Sequence, residues 1–258
     1  MSRRYPSDNR GPLCTAIPAI GNGRVDLDAI VDALRAQKKP CSVLLQAGCH
    51  NPTGIDLTTE QWKALMPELQ NCGSIVFLDI AYQGFADDPE VDAWALRTMT
   101  DAGITCLVSW SAAKNHSMYS LRAGLSALVV PDEETKHTVE AHYSMLTRGL
   151  WSAAPVTGQQ VVARTQEQYH KEWLEDLSIV RTSLQRKRDA LQKHLPSAFH
   201  APLQGKGLFA ILPLTLESIL RLRSEQKVFV LDDGRMNIAG LPEERLEEFC
   251  EKVLRVYS

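Results

Sequence analysis

The chain has 258 residues, 44% of them hydrophobic and 23% charged, with 28 lysines and arginines against 31 acidic residues and a formal net charge of −3. Such a profile excludes a disordered or fibrous chain and leaves room for one large core or two domains. The near-balanced charge gives no global attraction to nucleic acid or to an anionic membrane, so any basic site must be local.

The opening MSRRYPSDNRGPLC is charged and has no apolar core, and no later run approaches the roughly 18 apolar residues of a spanning helix. Neither secretion nor membrane insertion is expected. The six cysteines (Cys14, Cys41, Cys49, Cys72, Cys106 and Cys250) form no CxxC pair and no Cys/His spacing suited to zinc. Several lie in apolar runs, so the expectation is reduced, buried thiols in a cytoplasmic protein without a metal site.

In chain order, Leu27, Ile30, Val31 and Leu34 have helical spacing within 25–37, with Asp28 as a candidate cap. CSVLLQA (41–47) is the short apolar run of a strand covered on both faces, and it leads into the turn-forming GCHNPTG. TTEQWKALMPELQ opens on a capping box, Thr58 with Gln61, and predicts the next helix. The alternation continues with a strand at 74–81, a helix at 91–103, a strand at 104–110, the loop SAAKNHSMYSLR and a strand at 124–130. Repeated βα units predict a mostly parallel sheet with helices on both faces, in which ligands bind at the carboxyl ends of the strands.

From about residue 133 to 195 the pattern is helical, broken near LWSAAPVTG. GLFAILPL (207–214), a helix in TLESILRLRSEQ, a strand in KVFVLDD, GRMNIAG and a terminal helix in PEERLEEFCEKVLRVY then predict a small α+β unit. The expected fold class is therefore α/β, with a large domain over 1–165 and a small C-terminal domain over 166–258.

Singly, the polar residues at the strand ends have ordinary explanations. Asn51 before Pro52 forms a turn, Asp79 caps or pairs, Tyr82 packs with a satisfied hydroxyl, and Lys114 is a loop lysine. Together they make a set: a lysine amine, a carboxylate, and an arginine with hydroxyls are what pyridoxal phosphate chemistry needs for the aldehyde, the pyridine nitrogen and the phosphate.

From about residue 12 onward the motifs HNPTGIDLTTEQW, LDIAYQGFADDPEVDAWALR, SAAKNHSMYSLRAG, RGLWSAAPVTG and GRMNIAGL occur in succession. In that order they resemble the class I, fold type I aminotransferases of the aspartate and aromatic branch. The resemblance implies the three-layer sheet of that fold, pyridoxal 5'-phosphate as cofactor, and Lys114 as its Schiff-base lysine. It implies Asp79 at the pyridine nitrogen, Asn51 and Tyr82 at the ring hydroxyl, and Ser111 with Arg122 at the phosphate.

Arg235 is similar to the arginine that takes the substrate α-carboxylate, with Asn51 beside it, and Arg148 to the one that reads a distal carboxylate across a homodimer interface. The implied activity moves an amino group between an aspartate-like or aromatic amino acid and a 2-oxo acid such as 2-oxoglutarate, as part of amino acid metabolism and biosynthesis. The chain lacks about a third of the usual family length ahead of residue 1, and an alternative is a noncatalytic protein that pairs with a full-length relative. Ala113, His116-Ser117, Trp151 and Ala153 replace the serine, Phe-Gly, tyrosine and asparagine common in the family.

Overall fold

The structure is a computed structural model and describes residues 17, 20–21, 23–37, 41–73 and 75–257. Cys14 and the charged opening segment lie outside the described residues. Its central feature is a four-stranded sheet of β1 (Ser42–Gln46), β2 (Ile75–Ile80), β3 (Cys106–Ser111) and β4 (Gly124–Val129), in that spatial order. The first three strands are parallel and β4 runs antiparallel to β3, so the sheet is mostly parallel, as expected.

The register explains which side chains share a face. Gln46 pairs with Asp79 and Asp79 with Ser109, while Val43, Val76, Leu78, Cys106 and Val108 point the other way. Those apolar residues meet α1 (Leu27–Ala36), α2 (Thr59–Asn71) and α3 (Trp94–Asp101) through Ile30, Leu34, Trp62, Leu65, Leu69 and Met99. On the opposite face α4 (Glu133–Trp151) reaches β4, where the hydroxyls of Tyr143 and Ser126 are 2.5 Å apart. The β1 and β2 end of that face stays open, with Leu44 74% exposed and Ile75 and Phe77 also in solvent.

Helix starts follow local chemistry. Thr58 and Gln61 form the expected capping box at α2, each side chain taking the other's backbone N–H. At α1 the expectation is corrected: Asp26 is the cap, accepting from the Ala29 N–H at 3.0 Å, and Asp28 lies within the first turn. A cap needs an extended residue just ahead of the helix, and Asp26 has that backbone while Asp28 is already helical.

The helical stretch after β4 comprises α4, α5 (Thr157–Gln168) and the 25-residue α6 (His170–His194). Beyond it a short antiparallel pair, β5 (Phe209–Ile211) and β6 (Arg235–Asn237), joins α7 (Leu216–Ser224) and α8 (Leu246–Val256). Leu177, Leu184 and Leu191 of α6 recur every seventh residue and close a second core with Phe199, Ile219, Leu222, Phe249 and Val253. That core also takes in Cys49, Ala81, Tyr82 and Phe85 from the loops after β1 and β2. Thus the carboxyl edge of the sheet and the C-terminal elements share one apolar cluster.

The strand expected in KVFVLDD does not form. Gly234 N–H donates to the Leu231 carbonyl at 2.9 Å, closing a tight turn, and Arg223 takes the Val230 carbonyl, so the segment's polar groups are spent locally. Val230 is buried while Phe229 is 78% exposed, which explains the strand-like alternation. Among the described residues no helix is long and apolar enough to cross a membrane.

Asp92 ties the loop after β2, accepting from the Gly84 and Ala86 N–H groups at 2.7 and 3.3 Å. Burial nevertheless pushes its carboxyl up to about 6, with the N–H groups opposing. A folded pKa above the ordinary carboxylate value means that the stability this group adds is complete below about pH 4 and is lost as pH rises through about 6. In urea titrations the wild-type stability relative to Asp92→Asn should therefore fall by about 1–2 kcal/mol between pH 4 and 7.

Candidate active site

The carboxyl ends of β1, β2 and β3, with the loops that leave them, and β6 bring five of the expected residues together. Asn51, five residues past Gln46, is held at both backbone groups by that side chain. Its N–H donates to Gln46 Oε1 at 2.9 Å and its carbonyl accepts from Gln46 Nε2 at 3.1 Å. This clamp fixes the Asn51 amide, whose Nδ2 donates to the Tyr82 hydroxyl at 3.3 Å and whose Oδ1 accepts from Arg235 Nη1 at 2.8 Å. A residue 184 positions further along the chain thereby reaches the loop after β1.

Tyr82 is buried and stands edge-on to Phe209, with ring centroids 6.1 Å apart. Lys114 Nζ lies 5.0 Å from the Tyr82 ring centroid, and the Arg235 guanidinium 5.5 Å from that of Phe209, both within cation–π range. Asp79, at the end of β2, is partly buried. Burial raises its carboxyl pKa, while the nearby Lys114 charge opposes the rise. Burial likewise raises the Tyr82 phenol, against the hydrogen bond from Asn51. A lysine, a carboxylate, a phenol and an amide thus surround one space at the sheet edge, with a guanidinium at its rim.

Ser111 and Arg122 lie on either side of Lys114 in the chain. Ser111 caps the short turn Ala112–Asn115 that carries Lys114, its Oγ accepting from the Ala113 N–H at 3.2 Å. Arg122 is exposed, adopts a left-handed backbone with φ 52°, and donates to the Tyr119 carbonyl at 3.5 Å, which leaves most of its donors for an anion. Arg148 is elsewhere: it is exposed on α4 and lines a groove of about 560 Å³ with Ser126, Tyr143 and Lys136.

Sequence reading missed the residues that hold these five in place. Gln46 carries no motif signal beyond ending a strand. Asp56 caps the loop by accepting from the Cys49 and His50 N–H groups, both at 2.8 Å, with burial raising its own pKa. Arg188 of α6 is 1% exposed and donates to the carbonyls of Leu203, Lys206, Gly207 and Phe209. Lys206 N–H in turn donates to the Gly54 carbonyl at 2.7 Å, which joins the loop after β1 to the strand beneath Arg235.

Residues 10–253 match the pattern described as aminotransferase class I and II. The chain belongs to that aminotransferase family. It is 33% identical over 240 residues to the cytoplasmic aspartate aminotransferase of Caenorhabditis elegans, covering 90% of this chain and 59% of that relative. It is 38% identical over 206 residues to the aromatic-amino-acid aminotransferase of Escherichia coli K12, covering 77% of this chain and 52% of that one. The aromatic-amino-acid aminotransferase of Burkholderia pseudomallei, solved covalently bound to pyridoxal phosphate, superposes with a TM-score of 0.90 at 28% identity, over 94% of this chain and 63% of that one. The chain thus spans about 60% of the length of these longer aminotransferases.

The Arg188 bonds give a stability test. Arg188→Met keeps much of the volume but removes the guanidinium bonds to the carbonyls at 206, 207 and 209, and leaves the Leu203 carbonyl only its bond from Gln192 Nε2. Urea unfolding should show a loss of about 3 kcal/mol or more.

Proposed function

We propose that this chain holds pyridoxal 5'-phosphate at the carboxyl ends of β1, β2 and β3 and transfers an amino group between an amino acid and a 2-oxo acid. The observation that carries the reading is the meeting of Lys114, Asp79, Tyr82, Asn51 and Arg235 from four separate segments. Their chemistry fits that cofactor: an amine for the aldehyde, a carboxylate for the pyridinium, two donors for the ring oxygen, and Arg122 with Ser111 for the phosphate.

The bound cofactor supplies an aldehyde that captures amines and a pyridine ring that accepts electrons from the substrate α-carbon. Lys114 is the amine that would hold the aldehyde, and once freed by the substrate amine it would serve as the base for the α-proton. Asp79 holds the proton on the ring nitrogen, and the facing Lys114 charge favours its ionised form against burial. Tyr82 and Asn51 hold the ring oxygen from one side, the Asn51 amide already oriented by Gln46.

Arg235 receives the substrate α-carboxylate, because a guanidinium fork matches two carboxylate oxygens and Asn51 and Phe209 already fix its direction. An aspartate-like or aromatic amino acid as donor accords with the relatives' names, and the acceptor is a 2-oxo acid such as 2-oxoglutarate. Arg148, remote from this cluster, serves a distal carboxylate in the site of a second subunit, so the active form is a homodimer. The large domain runs over 1–165 and the small one over 166–258. The protein works in the cytoplasm in amino acid metabolism and biosynthesis.

A second reading is that the chain is noncatalytic and acts by pairing with a longer relative, and the exposed sheet residues Leu44, Ile75 and Phe77 favour it. Mixing the purified chain with pyridoxal phosphate separates the two. The first reading expects a new absorbance band that Lys114→Ala abolishes, with transfer between aspartate and 2-oxoglutarate. A spectrum identical to free cofactor and no turnover without an added long homologue support the second. Arg235→Lys should raise KM for the amino acid about tenfold to a hundredfold with a smaller change in kcat, since it loses the two-pronged contact.

A further inference from the structure

The turn that carries Lys114 is joined to the long C-terminal helices by a network that the chemistry above does not use. Asn115 is buried, and its Nδ2 donates to the Gln83 carbonyl at 3.2 Å, so its Oδ1 faces His116 Nδ1 at 2.9 Å. His116 Nε2 lies 3.1 Å from Gln166 Nε2 of α5, and Gln166 Oε1 lies 2.9 Å from His170 Nδ1 of α6. The imidazole stacks on Trp173 of α6, with centroids 5.0 Å apart and planes at 27°, and Trp110 of β3 meets its edge at 6.0 Å. Trp173 Nε1 donates to the Asn115 carbonyl at 2.8 Å.

In these side-chain orientations, the contacts place both bonds on the neutral ring. Asn115 Oδ1 can only accept, so His116 carries its proton on Nδ1; Gln166 Nε2 can only donate, so His116 Nε2 must be a bare acceptor. In this arrangement both bonds belong to the neutral ring. A second proton on Nε2 would set donor against donor, and relieving that clash means turning the Gln166 amide over and remaking its contact with His170 Nδ1 in the opposite sense, which disturbs the link between the lysine turn, α5 and α6. Burial also disfavours the charged ring, lowering its pKa. The titratable groups around it are Lys114 on its own turn and His170 on α6, while β3 and α5 present Trp110 and Gln166.

We propose that His116, as the uncharged Nδ1–H imidazole, is a positioning residue for Lys114: it pins the lysine turn to α5 and α6 and releases it on protonation. The pin acts through Asn115, whose backbone directly follows the lysine and whose side chain fixes the loop after β2. Its link to catalysis rests on the aminotransferase reading, but the pin itself is testable without cofactor.

Histidine-selective ¹⁵N NMR of the full chain, with the His116 signal assigned by its loss in His116→Phe, should show the Nδ1–H tautomer at neutral pH and a titration midpoint below that of an exposed histidine. An Nε2–H tautomer or an ordinary midpoint overturns the proposal. The Phe variant keeps a stacking ring without ionisation. The rate of Lys114 acylation by acetic anhydride, read by peptide mass spectrometry and expressed as wild type over His116→Phe, should rise about fivefold as pH falls through the His116 midpoint. Taking the ratio cancels the lysine's own titration, and a ratio independent of pH sinks the idea. Should His116→Phe fail to fold, His116→Gln, which also lacks an ionisable group, replaces it. Pyridoxal phosphate binding is measured separately, so its failure counts against the cofactor reading alone.

Discussion

The buried guanidinium of Arg188 is the contact on which the site's geometry depends. It leaves α6, reaches 1% exposure, and gives its two Nη groups to the carbonyls of residues 203, 206, 207 and 209, while its buried Nε has no partner. Burial lowers its pKa to about 10, which still leaves it charged at neutral pH. Those carbonyls belong to the segment that leads into β5, and Lys206 of the same segment bonds to Gly54. An added Cβ at Gly54 would sit 2.6 Å from the Phe209 carbonyl and 3.0 Å from the guanidinium, so this approach requires glycine. One buried cation thereby sets the spacing between the loop after β1 and the strand pair that carries Arg235.

From that spacing the rest follows by short steps. β5 brings Phe209 against Tyr82, and β6, paired with β5, places Arg235 over Phe209 and within reach of Asn51. On the sheet side, register puts Gln46 beside Asp79, so the side chain that clamps Asn51 and the carboxylate that faces Lys114 share one edge. The site is therefore rigid where it meets strands and helices. It is adjustable where Lys114 sits on a four-residue turn, and the Asn115 and His116 contacts limit that freedom.

Much of the sheet was legible because alternating apolar runs and turn chemistry are local. The strands at 42–46, 75–80, 106–111 and 124–129 lie within a residue or two of their expected limits, and the Thr58 capping box has its expected partners. KVFVLDD misled because alternating burial arises equally from an irregular segment lying across a core. Only the polar bookkeeping of Arg223 and the Leu231–Gly234 turn distinguishes the two. Asn51, Asp79, Tyr82, Lys114 and Arg235 were legible as a set because their types, in that order, match one chemistry. Gln46, Asp56 and Arg188 were not, since a residue that positions another is defined by its partner and not by its neighbours in sequence.

By itself the sequence determined the alternation of strands and helices, the loops that would carry chemistry, and the family resemblance, all of which depend on short-range pattern and residue type. Tertiary structure alone decided that Arg235 would close on Asn51 across 184 positions, that Arg148 would stand apart on α4, and that His116 would lie between Asn115 and Gln166. The reason is physical. Hydrogen-bond partners and burial are set by which segments share a core, and the cluster joining Cys49, Tyr82 and Phe85 to α6 and α8 assembles segments that no local spacing relates.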